Sequence, residues 1–347
     1  MLTRTGRTHR TVWWFACSGS IEASVCSGRW LRSLRSMLDN MCCRFLTILT
    51  TFVFTLFGQT AKIPRALDGH PDLQGIWTNA TLTRVERPQE FETTSTVADA
   101  DARAYETKEE SQFVSAARVS DAEVLFIDRG LELVRIGGVK RTSLIVDPPD
   151  GKVPFRSPAV RKLSAELQNY IGYDSDNVKA RPLPERCLIG VGASGAPGGP
   201  PMMPVLYNNN YQIVQTADHV VILVEMVHDA RIVRMNNTHP LANVRQWFGD
   251  SIGYWEGETL VVDTTNFTNK TRFYASSETL HVVERFTRTD ANTILYRATM
   301  DDPATFSKPW TVEFPLVRTI GPIYEYACHE GNYALSGILG GAREREK

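Results

Sequence analysis

Cysteine is scarce in the body of this chain: four of its six cysteines lie ahead of Ala61, leaving only Cys187 and Cys328 beyond it. Two cysteines cannot build a disulfide-dense scaffold or a Cys-based zinc site. An excess of charge is also missing, with 38 basic against 39 acidic residues, which argues against nucleic acid or anionic membrane surfaces as partners. The long apolar run Phe45–Phe57 falls short of the roughly 20 residues a membrane helix needs. No internal repeat occurs, and no His-x-His or Cys-x-x-Cys spacing marks a metal, so no cofactor is expected.

Residues 1–60 read as a leader. Arg44 precedes the apolar Phe45–Phe57, which has the length of a signal-peptide core, and small residues follow at Gly58, Thr60 and Ala61. Ahead of it, Met1–Arg35 carries six arginines and a single acid, Glu22, a composition shared with transit peptides. A start at Met37 or Met41 places a short segment directly before the apolar core, and this is the favoured reading. It implies a secreted or periplasmic protein with no stable membrane span after cleavage. Removing the leader takes away seven arginines and two acids, leaving 31 basic against 37 acidic residues, a net of −6. In an oxidising compartment Cys187 and Cys328 can close a loop of about 140 residues, worth roughly 4 kcal/mol. Two buried free thiols are the alternative.

The remaining residues, 61–347, suit one domain, with an N-terminal part (61–205) of mixed character and an antiparallel β part (206–347). Residues 95–116, acidic and free of Gly and Pro, predict a surface helix. Ser157-Pro158 predicts a second helix start, with Ser as N-cap. Thr142–Val146 reads as a strand ended by the turn Asp147–Gly151. From Tyr207 on, hairpins turn at Ala217–His219, Glu256-Gly257 and Asp290–Asn292, and strands at Trp310–Val317 and Ile323–Cys328 close the series. Such a meander predicts a mainly β fold, a lipocalin-like barrel with one central cavity and a few peripheral helices, because closure removes sheet edges. A β-sandwich is the alternative. Gly190–Gly195 matches a dinucleotide fingerprint in letters, but Ala196–Pro201 follows where that motif needs a helix, so a loop is the reading.

Four segments, Asp72–Trp77 (DLQGIW), Tyr207–Thr216 (YNNNYQIVQT), Trp255–Thr265 (WEGETLVVDTT) and Tyr326–Tyr333 (YACHEGNY), are similar to a group of uncharacterised secreted bacterial proteins. The resemblance covers residues 70 to 347 and implies export; it brings no activity.

Carboxylates within strand patterns are where chemistry can lie, because an ionised carboxylate on an apolar face must be paired, hydrogen-bonded, protonated or wet. Glu284 shares its face with Leu280, Val282 and Phe286; Asp263 lies beside Val261 and Thr265; Glu225 falls on the odd face of a strand running from Val220 to Ile232, with Asp229 and Arg231. Three acids from three hairpins are expected to meet inside one barrel. Glu225, Asp263 and Glu284 are then proton-transfer candidates, supported by Arg231 or His228, and Asn209, Arg245, Trp247, Trp255 and His281 are candidates to hold a ligand. Cys328-His329-Glu330 is a poor nucleophile–base pair, since neighbours on a strand point to opposite faces. Two functions stay open: a cofactor-independent acid–base enzyme (hydrolase, isomerase or lyase) on a small, largely apolar substrate, or a lipocalin-like protein that binds a small molecule without reacting. A purely structural role with no cavity is the third possibility.

Overall fold

Alternation of apolar and polar side chains, the period of a half-buried strand, runs through most of the second half of the chain, and there it builds a closed wall. The structure, a computed structural model, describes residues 63–92, 94–116, 127–169, 173–190, 199–276 and 278–347. The leader, most of the glycine-rich loop and its fingerprint lie outside the described residues.

Nine strands form the barrel: β1 (Gly75–Thr78), β6 (Asn210–Gln215), β7 (His219–Val224), β8 (Ala230–Met235), β9 (Asp250–Glu256), β10 (Thr259–Thr265), β11 (His281–Arg288), β12 (Thr293–Asp301) and β13 (Trp310–Arg318). They pair in that order, and β13 closes on β1 through Trp77↔Arg318 and Thr78↔Val317. Closure on β1 decides between barrel and sandwich. Every pairing in the ring is antiparallel except β8–β9, which is parallel over Val233–Met235 against Ser251–Gly253. Strand β5 (Ile145–Asp147) adds to the other end of β13's edge. The 61–205 part therefore contributes β1 and β5 to the same sheet, and Ala61–Lys347 is one compact unit.

Outside the ring, β2 (Thr96–Val97), β3 (Arg135–Ile136) and β4 (Val139–Arg141) form a small sheet. Helix α1 (Asp99–Ala116) packs near it through Ala102 and Tyr105, which meet Leu82 and Leu133. Helix α2 (Pro158–Gln168) starts as expected, Ser157 Oγ accepting from the Val160 N–H. Helix α3 (Tyr333–Arg345) ends the chain.

The barrel interior is filled. Trp77, Tyr211, Phe286, Tyr296, Phe314 and Leu316 are all essentially inaccessible and belong to one cluster. Burying each such side chain contributes about 1.5–3 kcal/mol. Packed side chains thus occupy the place of the expected central cavity.

Two strand assignments are corrected. The run Val220–Ile232 is not one strand, because residues 225–229 reverse the chain and Leu223 pairs with Ala230. The reversal shifts parity: β7 turns even residues inward (Val220, Ile222, Val224) and β8 turns odd ones (Arg231, Val233, Met235). Ile323–Cys328 is not a strand either; it is an irregular segment, tied at its end by a disulfide between Cys187 and Cys328 with Cα atoms 5.8 Å apart. The cross-link holds this stretch in place without a ladder.

Candidate functional site

Hydrogen bonding forces the reversal after β7 into an unusual shape. The Val224 N–H donates to Asp229 O (2.9 Å) and the His228 N–H to Glu225 O (3.2 Å), which closes the turn only if Val227 (φ 72°) and His228 (φ 58°) adopt left-handed backbone. A β-branched residue there costs on the order of 1–3 kcal/mol, a strain that proteins keep where geometry matters. The turn leaves Glu225 buried at its start and His228 exposed at its tip.

Glu225 faces a cleft of about 780 Å³ between the barrel end and the 324–328 segment. Its Oε2 accepts from the Asn210 side-chain amide (2.8 Å) and from the Asn210 N–H (3.3 Å), and its Oε1 from the Tyr324 N–H (3.3 Å). Among the described residues no cation pairs with it. Asp128 stands at the mouth of the same cleft, also without a cation. Desolvation by the cleft walls, then the charge of Glu225, hold the Asp128 carboxyl above its usual range. Asn208, Tyr326, Ala327, Cys328 and the exposed Glu325, a third carboxylate, complete the lining. A carboxyl held above its usual range beside a second, cation-free carboxylate supplies elements of acid–base chemistry.

Glu284 lies elsewhere. Inside the barrel its Oε1 accepts from Arg231 Nη1 (3.1 Å) and from the Tyr296 hydroxyl (2.8 Å), while Arg231 Nη2 donates to its Oε2. Tyr296 in turn accepts from the Met202 N–H (2.9 Å). Burial, then the charge of Glu284, push the Tyr296 phenol well above its usual range. Every partner in this network is enclosed, so it ties β8, β11 and β12 together.

Asp263 points the other way, on the barrel's outer surface. One of its oxygens lies 3.0 Å from His239 Nε2 and the other 3.0 Å from His281 Nε2; His239 Nδ1 reaches Asp250 (2.7 Å), which also holds Arg234 (2.8 Å). The hydrogen bond to Asp263 raises the His281 pKa. Burial pushes the Asp263 carboxyl up, but its hydrogen bonds and charge contacts with the two histidines outweigh this and leave it lowered. Among the described residues the second nitrogen of His281 has no hydrogen-bond partner, and no hydroxyl or thiol nucleophile is hydrogen-bonded to the ring.

The three acids therefore do not converge: one is inside the barrel, one outside, one at its end. Physically, β8 parity and the reversal at 225–229 separate them. The remaining candidates also scatter. Asn209 is fully buried and spent on backbone, accepting from the Val205 N–H (2.8 Å) and donating to Val205 O (2.9 Å) and Asp128 O. Trp255 stacks on His70 with centroids 4.4 Å apart. Arg231, Arg245 and Trp247 line a second cleft of about 650 Å³ beside β8. Sequence reasoning missed Asp128, His239 and Tyr296, which sit in or beside segments with no strand-face signal or look like ordinary core. No cluster of metal-ligating side chains occurs among the described residues.

Compared with family models, curated proteins and solved structures, this chain finds no match.

Proposed function

We propose that the Glu225 cleft is the active site of an exported, cofactor-independent acid–base enzyme acting on a small, partly apolar substrate. The observation that carries this reading is the meeting, without a cation, of buried Glu225 and rim Asp128 in a cleft that Glu325 also lines, with Asp128 held above its usual range by desolvation and by Glu225. In this reading Glu225 receives a proton from the attacking water or from a carbon acid, through the lone pairs its three N–H partners leave free. Asp128 delivers a proton to the oxygen on which charge develops. Tyr324, Tyr326 and Ala327 contact the apolar portion of the substrate, and the amides of Asn208 and Asn210 orient its polar end. Export is supported by the disulfide, a bond of oxidising compartments, and by the likeness of the four sequence segments to secreted bacterial proteins.

The test is turnover of a panel of p-nitrophenyl esters and glycosides, with deuterium exchange into cyclic ketones followed by NMR. Glu225→Gln and Asp128→Asn should each lose about 10²-fold or more of any activity found, with circular dichroism unchanged, and Asp128→Asn should remove one limb of the pH profile. Activity equal in both variants, or none across the panel, overturns the reading.

A further inference from the structure

Parallel pairing between β8 and β9 covers only three residue pairs, Val233–Met235 with Ser251–Gly253. Ahead of it, Ala230–Ile232 has no strand on that side, since residues 245–250 swing away from β8 and open the 650 Å³ cleft. This opening lies on the Asp229 side of the 225–229 turn, whereas the carboxyl pair lies on the Glu225 side.

The charges in its wall cancel. Arg231 is paired with Glu284, Arg234 binds both oxygens of Asp250 (2.9 and 2.8 Å), and Arg245 lies 3.8 Å from Glu278 while donating to the carbonyls of Phe267 and Glu278. Of the charged side chains lining it, Asp229 keeps a carboxylate without a cation among the described residues, and one of its oxygens already accepts the Ala230 N–H (2.7 Å). An anion entering here meets no net positive field. What the cleft offers instead is directional hydrogen bonding. The Gln246 amide and the Trp247 indole N–H make no hydrogen bond within the described residues, and the buried Arg231 keeps an Nε–H with no acceptor at the inner wall. Half-buried Trp247 adds a flat apolar face. Free donors beside free acceptors (the second Asp229 oxygen and the Gln246 amide oxygen), no net cation and an aromatic platform match a ring that carries hydroxyls on its rim and C–H groups on its face.

We propose that this cleft binds a neutral, polyhydroxylated ligand of the saccharide class, with the sugar ring stacked on Trp247 and its hydroxyls bonded to Asp229, Gln246 and the arginine edges. The proposal is independent of the acid–base reading. Its test is calorimetric titration of the full chain with glucose, galactose, N-acetylglucosamine, maltotriose and chitotriose, alongside sodium phosphate and tetramethylammonium as charged probes. At least one saccharide should bind with a dissociation constant at or below about 1 mM, and Trp247→Ala and the exposed Gln246→Ala should each weaken it by about tenfold. Glu225→Gln should bind as the parent does. Binding of no saccharide, binding of a charged probe in its place, or affinity unchanged in both cleft variants overturns the proposal.

Discussion

Arg231 and Glu284 face each other inside the barrel, Nη1 3.1 Å from Oε1, with almost no exposure of either side chain. The pair joins β8 to β11, strands with two others between them in the ring. It is the reason that Glu284, the carboxylate most enclosed by apolar neighbours in the sequence, is removed from the list of catalytic candidates.

Removing one partner leaves a buried charge alone. Glu284→Gln should therefore destabilise the fold by about 3–5 kcal/mol in urea denaturation, and Arg231→Met by a similar amount, whereas the double variant Arg231→Met/Glu284→Leu should recover much of the loss. A cost below about 1 kcal/mol for Glu284→Gln would show that the pair is not the tie described here.

The surface pair Asp263–His281 gives stability a pH dependence. His281 is raised above its ordinary 6.5, so its contribution is full below pH 6.5 and fades as pH rises through its folded value. Asp263 is lowered below its ordinary 3.8, so its contribution is present above pH 3.8 and is lost as pH falls through its folded value. The two act together between these limits. Because both side chains are partly exposed, the effect is about 0.2–1 kcal/mol. NMR titration of the His281 ring should show a midpoint above 6.5 that drops on Asp263→Asn; an unmoved midpoint contradicts the pairing.

Cutting the Cys187–Cys328 cross-link frees a loop of 141 residues' separation. In the chain-entropy model this costs about 4–5 kcal/mol, which reduction or Cys187→Ala/Cys328→Ala should reveal in the melting temperature. Since Cys328 also lines the Glu225 cleft, the same variant should lower whatever turnover that cleft supports. Equal stability with and without the bond would refute the estimate.

Legibility of the fold followed the range of the interaction. Hairpins β9–β10 and β11–β12 are marked by alternation flanking Glu256-Gly257 and Asp290–Asn292, and both form where their residues predict. The reversal at Glu225–Asp229 carries no Gly, Pro or Asn, and although His228 and Asp229 suit a turn, nothing local announces the left-handed backbone of the β-branched Val227. Without that turn the inward residues of β8 are assigned to the wrong parity, and Arg231 cannot be matched to Glu284. Of the candidate site, Glu225 stands out by its apolar neighbours in sequence, but Asp128, nearly a hundred residues earlier, has no periodic context to single it out.

The chain by itself determined a mainly β body, its principal hairpins and the helix start at Ser157-Pro158, because strand alternation and helix caps depend on neighbours within a few residues; the helix expected over 95–116 starts only at Asp99, since Thr96–Val97 pair in the small sheet. Only the tertiary structure decided that Trp77 meets Arg318 to close the ring, that β8 and β9 run parallel and part to open a cleft, and which acids share a space. Those are meetings between residues far apart in sequence, and a pattern of period two says which face a side chain takes without saying what it will face.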